Sequence, residues 1–353
     1  MTISKLDHYK DSSFYVIDEF DYKSFVVSHP DSRKLLNNPE VTGIQIYNSL
    51  KKPTENILNF ITNKYDISRT NILNIMRGGL NFPIEESCFN LGINREAVSF
   101  VTTERVFEDN TIFNVDIKYN KIVLLDDATL ILGDIIASGE TIWNTILSII
   151  RIYRTNNIKL KRIIVLTIGT INALSIIKKI SIEISKLWDD FEGVIPFFYE
   201  GVFSVYKCYG ITRLNHPKID FLINGAFICP EYRYSILKSD SLLFEKCPIY
   251  DGGTRRFEPH AHRNTILTYW ENLSHISNNI NLIDFIAEKL GYNTDCTFDD
   301  WQKNNNYVAI SNSYNLYCEE IGFLQSLNAK KFIDSCNMRY EYLRNYYKKE
   351  FFF

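Results

Sequence analysis

Two short segments combine residue types that handle anions. The first is Thr129–Thr141, T-L-I-L-G-D-I-I-A-S-G-E-T: a hydrophobic strand runs to an acid, a loop of small and hydroxyl-bearing residues follows, and a helix starts at once. The N–H groups at a helix start have no intrahelical acceptors and lie at the positive end of the helix dipole, so they converge on an anion such as phosphate. Gly139 permits close backbone approach, Ser138 and Thr141 add hydroxyl donors, and Asp134 at the strand end is placed to hold sugar hydroxyls. The second segment, Ile75-Met76-Arg77-Gly78-Gly79, is an apolar run stopped by a cation and two glycines. A nucleoside-triphosphate P-loop is excluded, because five residues rather than four separate Gly133 from Gly139 and Glu140 stands where a lysine would meet the phosphates. No G-x-G-x-x-G occurs. The plain alternatives are a structural strand-to-helix turn with a serine cap for residues 134–141, and an ordinary turn for Arg77-Gly78-Gly79.

The elements that must position these residues are legible as periodicities. Thr54–Tyr65 reads as an amphipathic helix, Asn71–Met76 as a short buried strand before a tight turn, and Leu80–Leu91 as the next helix with Pro83 in its first turn. Residues 99–121 alternate weakly and carry both charge signs, which predicts a hairpin or a long mobile arm rather than core. Ile122–Leu125 and Thr129–Leu132 are strand candidates, and Asp134–Gly139 is the loop between strand and helix. In Thr141–Tyr153, Ile142, Ile146, Ile149, Ile150 and Tyr153 form one helical stripe. Arg162–Ile168 is uncharged after its first residue, as a strand buried on both faces requires. Ala173–Leu187 has a helical period and Val194–Tyr206 a β-rich one. Strand–helix alternation predicts an α/β fold with a parallel sheet. Beyond about Asp251, helical patterns such as Asn281–Leu290 and Ser313–Phe323 dominate. The division is residues 1–250 as an α/β domain with an N-terminal extension and 251–353 as a mainly helical C-terminal region.

Thr129–Thr141 resembles the signature of type I phosphoribosyltransferases, in which an apolar strand ends in two acids and a loop of pattern x-x-[AT]-[ST]-G-x-[ST] follows. Asp134, Ala137, Ser138, Gly139 and Thr141 match, while Gly133 stands in place of the first acid. The acid pair Asp126-Asp127 lacks the downstream loop and is read as a turn between strands. Ile75–Gly79 resembles the family's pyrophosphate-cradling loop. Residues 99–121 sit where the family has a flexible flap, with Arg105 as its phosphate-seeking side chain, and Ile219–Gly225 is similar to the segment near the base-binding hood. The resemblance spans roughly residues 50–230 and implies a phosphoribosyltransferase-like parallel-sheet core with a mainly helical C-terminal extension. It implies transfer of a 5-phosphoribosyl group from phosphoribosyl pyrophosphate to a nitrogen nucleophile. Ala137, Ser138, Gly139, Glu140 and Thr141 would hold the 5'-phosphate, Asp134 the ribose hydroxyls, and Arg77, Gly78 and Gly79 pyrophosphate. Mg²⁺ would be bound mainly through substrate oxygens. The rival reading is a ribose-phosphate or nucleotide-binding sensor or effector controlled by partners, one version being an effector of a bacterial phage-defence cassette.

Composition limits the remaining classes. With 353 residues, 45% of them hydrophobic and 23% charged, the chain has the make-up of a folded protein. A formal charge of -3 gives no global basic surface for nucleic acid. The N-terminal stretch lacks the apolar core of a signal peptide and no long apolar run reads as a membrane span, so a cytoplasmic protein without membrane partners is expected. The seven cysteines are odd in number, widely spaced and without C-x-x-C, and are read as reduced, mostly buried thiols. In Asp251–His262, D-G-G-T-R-R-F-E-P-H-A-H, the two histidines would share one side of a strand and could bind a metal, but no third ligand is evident. An anion-recognising loop built on Arg255 and Arg256, or a plain surface turn, are the other readings. The C-terminal region, ending in the aromatic tail YYKKEFFF, is the part assigned to a homo-oligomer or protein partner.

Overall fold

The structure is a computed structural model that describes residues 2–19, 22–108, 111–205, 221–238, 245, 252–307 and 310–349. The strands are β1 (Thr2–Tyr9), β2 (Ser12–Glu19), β3 (Tyr22–Ser28), β4 (Thr70–Met76), β5 (Arg95–Glu108), β6 (Thr111–Lys121), β7 (Ala128–Ile136), β8 (Leu160–Thr170), β9 (Val194–Val205) and β10 (Phe221–Ile228). The helices are α1 (Pro30–Asn37), α2 (Ile44–Thr62), α3 (Ile84–Asn90), α4 (Glu140–Thr155), α5 (Ile171–Ser185), α6 (Pro230–Ile236), α7 (Gly252–Phe257), α8 (Pro259–Ile276), α9 (Leu282–Leu290), α10 (Phe298–Asn304), α11 (Ser313–Ser326) and α12 (Phe332–Lys349). The fold is α/β with a helical C-terminal region.

The strands form one sheet in the order β1-β2-β3-β9-β8-β7-β4-β5-β6, with β10 added to β9. From β3 to β5 all neighbours are parallel, and antiparallel pairs finish both edges. β7 and β8 are buried along nearly their whole length, which explains their unbroken apolar runs. From β4 the chain crosses through α3 to β5, whereas from β7 it crosses through α4 to β8 in the opposite direction. Right-handed crossovers therefore set α3 on one face and α4 and α5 on the other. The adjacent pair β4 and β7 is the point where the strand order reverses, and a crevice opens there at the carboxyl ends of the strands.

Several local expectations are corrected. Ile122–Leu125 is not a strand: β6 ends at Lys121, and the backbone between carries the carbonyl of Val123 to Asn71 Nδ2 at 2.8 Å. β7 continues through Asp134 to Ile136, so the loop shrinks to Ala137–Gly139. The helix expected from Thr54 starts ten residues earlier, at Ile44, and passes through Pro53. The helix expected from Leu80 divides into a 3-10 turn at Gly78–Asn81 and α3, with Pro83 as the N-cap. Residues 99–121 do form a hairpin, but its base is core, since Ser99 and Val101 are fully buried and Ser99 Oγ donates to Asn71 Oδ1 at 3.0 Å.

Residues 252–257 and 259–262 are helical, with Glu258 as the break between α7 and α8, which overturns the strand expected there. Two residues apart on a helix point to different sides: His262 is buried with Nε2 2.9 Å from the Pro39 carbonyl, while His260 is exposed. Arg255 is 1% exposed, and its guanidinium donates to the carbonyls of Val41 (2.7 Å), Leu35 (3.1 Å) and Asn38 (2.5 Å) at the end of α1. Those bonds occupy the group expected to recognise an anion, and they bind α7 to the α1–α2 connection. Among the described cysteines, Cys88, Cys229 and Cys336 are buried and none is in a disulfide. Cys208 and Cys247 lie outside the described residues, as do Asp251 and the last four residues of the aromatic tail. Among the described residues no helix is long and apolar enough to cross a membrane.

Buried carboxylates anchor the packing. Glu200 of β9 is fully buried and accepts from Ser28 Oγ at 2.6 Å and from the His29 backbone N–H at 2.8 Å, which fixes the start of α1. Burial pushes its carboxyl up to about 7, against the opposing pull of Arg33 and the hydroxyl donors. A native carboxyl that holds its proton more tightly than the unfolded chain, near 4.5, favours folding in acid, and that contribution is lost as pH rises from about 4.5 to about 7. Wild type should therefore lose up to about 3 kcal/mol of this group's contribution between pH 5 and pH 7.5, and Glu200→Gln should not. Urea melts of both proteins at the two pH values check it; parallel pH profiles would refute it.

Candidate functional site

The register Asn74↔Gly133 brings the ends of β4 and β7 level, so the two segments singled out by sequence meet. Arg77, Gly78, Asp134, Ala137, Ser138, Gly139 and Thr141 border one cavity of about 480 Å³, together with Thr103, Glu104 and Gly253. The Met76–Arg77 peptide is cis. Gly79 lies behind the lining, where a Cβ would stand 3.2 Å from the Gly133 carbonyl oxygen. Glu140 is exposed on the first turn of α4 and is not part of the lining.

Asp134 ties the two loops together. Its Oδ1 accepts from the Ile135 N–H at 2.8 Å, and a Cβ built on Gly78 would lie 2.1 Å from that same oxygen. Any side chain at 78 would displace the carboxylate. No side chain caps the first turn of α4, whose N-cap Gly139 is left-handed at φ +85°. The start of α4 thus borders the cavity, with the exposed Ser138 and the partly buried Thr141 beside it, and its dipole and N–H groups suit an anion there. The Ala137 carbonyl accepts from Thr170 Oγ1, which pins the loop from behind. Gly139 also has a structural role: a Cβ there would lie 2.8 Å from Ile176 Cγ1, so a larger residue disturbs the packing of α5 as well as a ligand.

The missing acid at Gly133 has a steric cause. A Cβ at Gly133 would lie 2.4 Å from Phe82 Cγ, and Phe82 is buried. β7 therefore supplies one carboxylate to the cavity, and sequence reasoning missed the other, Glu104 on β5, whose Oε2 is 3.3 Å from Lys118 Nζ. Position 104 lies in the hairpin that the sequence marked as charged, but no spacing rule distinguishes it from neighbouring acids. Also missed were Gly253 in the wall and Glu258, whose Oε1 accepts from Arg77 Nη1 at 2.8 Å. The backbone of Arg105 belongs to β5, and its side chain lies outside the described residues. In the hood segment, Ile219 and Asp220 are outside them too, and Phe221–Ile228 is β10, paired to β9. Among the described residues no group of three metal-ligating side chains occurs. Asp134 and Glu104 offer oxygen donors of the kind that suit Mg²⁺ when most ligands come from a bound molecule and water.

No protein-family profile matches the sequence, and no curated protein matches it. Solved structures to which the chain is similar include a hypoxanthine phosphoribosyltransferase from Staphylococcus aureus, at 13% identity and TM-score 0.27 over 40% of this chain and 71% of that one. A hypoxanthine-guanine phosphoribosyltransferase from L. donovani matches at 12% identity and TM-score 0.28, over 38% of this chain and 76% of that one. The Trypanosoma cruzi hypoxanthine phosphoribosyltransferase, solved with IMP, matches at 14% identity and TM-score 0.24, over 36% and 68%.

The Gly133–Phe82 contact generates a direct test. Restoring an acid by Gly133→Asp should destabilise the protein by about 1–3 kcal/mol or more through overpacking, and adding Phe82→Ala should recover part of that loss. Thermal melts of the single and double variants measure it. A single variant as stable as wild type would mean that Phe82 does not fill this space.

Proposed function

We propose that this cavity binds phosphoribosyl pyrophosphate and transfers the phosphoribosyl group to a nitrogen nucleophile with release of pyrophosphate. The observation that carries the reading is the meeting, around one cavity, of an uncapped helix start after Ala137–Gly139, the Asp134 carboxylate and the Arg77-Gly78 turn. In this assignment the N–H groups and hydroxyls of residues 137–141 hold the 5'-phosphate, and Asp134 accepts from the ribose hydroxyls. Arg77, with the backbone of Gly78, holds pyrophosphate, and Gly79 supports that turn from behind. The bond from the anomeric carbon to pyrophosphate breaks with its electron pair leaving on the phosphate oxygen. The nitrogen lone pair forms the new bond, and that nitrogen gives up a proton to solvent. Protein groups contribute by holding the reactants in line and stabilising the departing charge. Mg²⁺ bound to the ligand would offset pyrophosphate charge, with Asp134 and Glu104 within the cavity as its protein carboxylates. The β5–β6 hairpin, bordering the cavity through Thr103 and Glu104, is assigned the covering role of a flap.

A second reading, ligand binding without transfer, is favoured by one observation: Phe82 removes room for the first acid of the strand-end pair. Turnover separates the two. Calorimetry with phosphoribosyl pyrophosphate and Mg²⁺ should show saturable binding, weakened about 10- to 100-fold by Ser138→Ala or Thr141→Val through loss of one hydrogen bond to a charged group. Pyrophosphate release, assayed across purine, pyrimidine and nicotinate-type acceptors, should fall at least about 10-fold more than affinity in Asp134→Asn. Binding without release in every mixture would establish the second reading. Absence of binding would remove both.

A further inference from the structure

The C-terminal region reaches into the candidate site. Arg255 anchors α7 to the α1–α2 connection through a buried guanidinium, and the Arg255 carbonyl accepts from the Gly43 N–H at 3.1 Å. The Glu258 N–H in turn donates to the Thr254 carbonyl at 2.7 Å, which sets the turn between α7 and α8. This fixed segment contributes Gly253 to the cavity wall, and its last residues meet Arg77. Glu258 Oε1 accepts from Arg77 Nη1 at 2.8 Å, and the Arg77 guanidinium carbon stands 6.0 Å from the centre of the Phe257 ring.

Arg77 is 54% exposed, so without these two contacts its long side chain would sample many rotamers. A guanidinium has five N–H donors in a planar fork, and Glu258 engages one of its nitrogens. The rest of the fork has no partner among the described residues and is left for an anion. We infer that Glu258 is a positioning residue, which together with Phe257 holds Arg77 at the cavity for the pyrophosphate group of the ligand. Such an exposed pair is weaker than a guanidinium–phosphate bond, so Glu258 does not outcompete the ligand for Arg77. It lowers the ordering cost of binding instead. The inference rests on the ribose-phosphate reading of the cavity and adds to it residues from the C-terminal third, beyond the stretch of sequence that carries the family resemblance.

The experiment uses the full chain and two probes for the two halves of the cavity, inorganic pyrophosphate with Mg²⁺ and ribose 5-phosphate, each measured by calorimetry. Glu258→Ala should weaken pyrophosphate binding about 3- to 10-fold and leave ribose 5-phosphate unchanged, and Glu258→Gln, which keeps an acceptor, should restore part of the loss. In an Arg77→Ala background, Glu258→Ala should have no further effect on pyrophosphate. Tighter pyrophosphate binding in Glu258→Ala would mean that the carboxylate competes with the ligand, and would overturn the inference. Equal weakening of both probes would also overturn it, since that is the signature of a structural role. Failure of wild type to bind either probe would instead overturn the reading of the cavity itself, and the positioning role with it.

Discussion

The carboxyl edge of the sheet depends on a close approach of two backbones. With β4 and β7 paired in parallel and Gly78 turning directly above Asp134, a Cβ at position 78 would lie 2.1 Å from the carboxylate oxygen. Everything around the cavity follows from that fit. Gly78 lets the first loop lie against the strand-end acid, Gly79 lets the same turn rest on the Gly133 carbonyl, and Gly133 gives Phe82 its place beneath. Three glycines thus act as one steric unit, with the acid and the aromatic ring interlocked through the gaps they leave. The anion-binding features stand on this base. The first turn of α4 points at the cavity because β7 ends level with β4 and only three residues separate strand from helix.

The second organising theme is that charge buried by the fold is partnered, and the partners tie distant segments together. Arg162 on β8 is 2% exposed and donates to Glu192 at 2.8 Å and to Thr129 Oγ1 at 2.9 Å, which joins the amino ends of β7 and β8. Arg339 of α12 bridges Glu40 at 2.9 Å and Glu245 at 2.7 Å. Burial pushes the Glu245 carboxyl up to about 7, as it does for Glu200. Buried groups of this kind fix which surfaces meet, because any other docking would strand them.

Much of the central sheet was legible because burial on both faces demands unbroken apolar runs, and β4, β7 and β8 supply them. The strand-end acid and hydroxyl loop were legible because their chemistry is local in sequence. What escaped depends on contacts that no short window contains. The N-terminal stretch was read only as an extension, with no strand in it, although β1, β2 and β3 form a three-stranded meander on the sheet edge; β1 is largely solvent-facing and its periodicity is weak. His260 and His262 were placed on a strand because alternation looks the same on paper, while the helix is set by Pro259 at its first turn and by packing against α12. The reason for Gly133 was invisible, since Phe82 is brought beneath it only by the β4–β7 pairing. The role of residues 253–258 was misjudged in the same way: Arg255 looks like an anion ligand until its three carbonyl acceptors are seen.

The buried pair between Arg233 of α6 and Glu320 of α11 bears on the modularity of the chain. Arg233 Nε donates to Glu320 at 2.6 Å, both side chains are almost wholly shielded from water, and Trp301 donates to the same carboxylate at 2.7 Å. Losing one member of such a pair leaves an uncompensated buried charge, at a cost of about 3–5 kcal/mol, comparable to a large share of a domain's whole stability. Tyr307, also buried, donates its hydroxyl to the Ile228 carbonyl across the same boundary. The C-terminal helices are consequently poor currency for gene shuffling: a recombination event near residue 250 would have to replace Arg233, Arg255 and the surfaces around them together. The sheet and its helical extension are thereby committed to evolve as one hereditary unit.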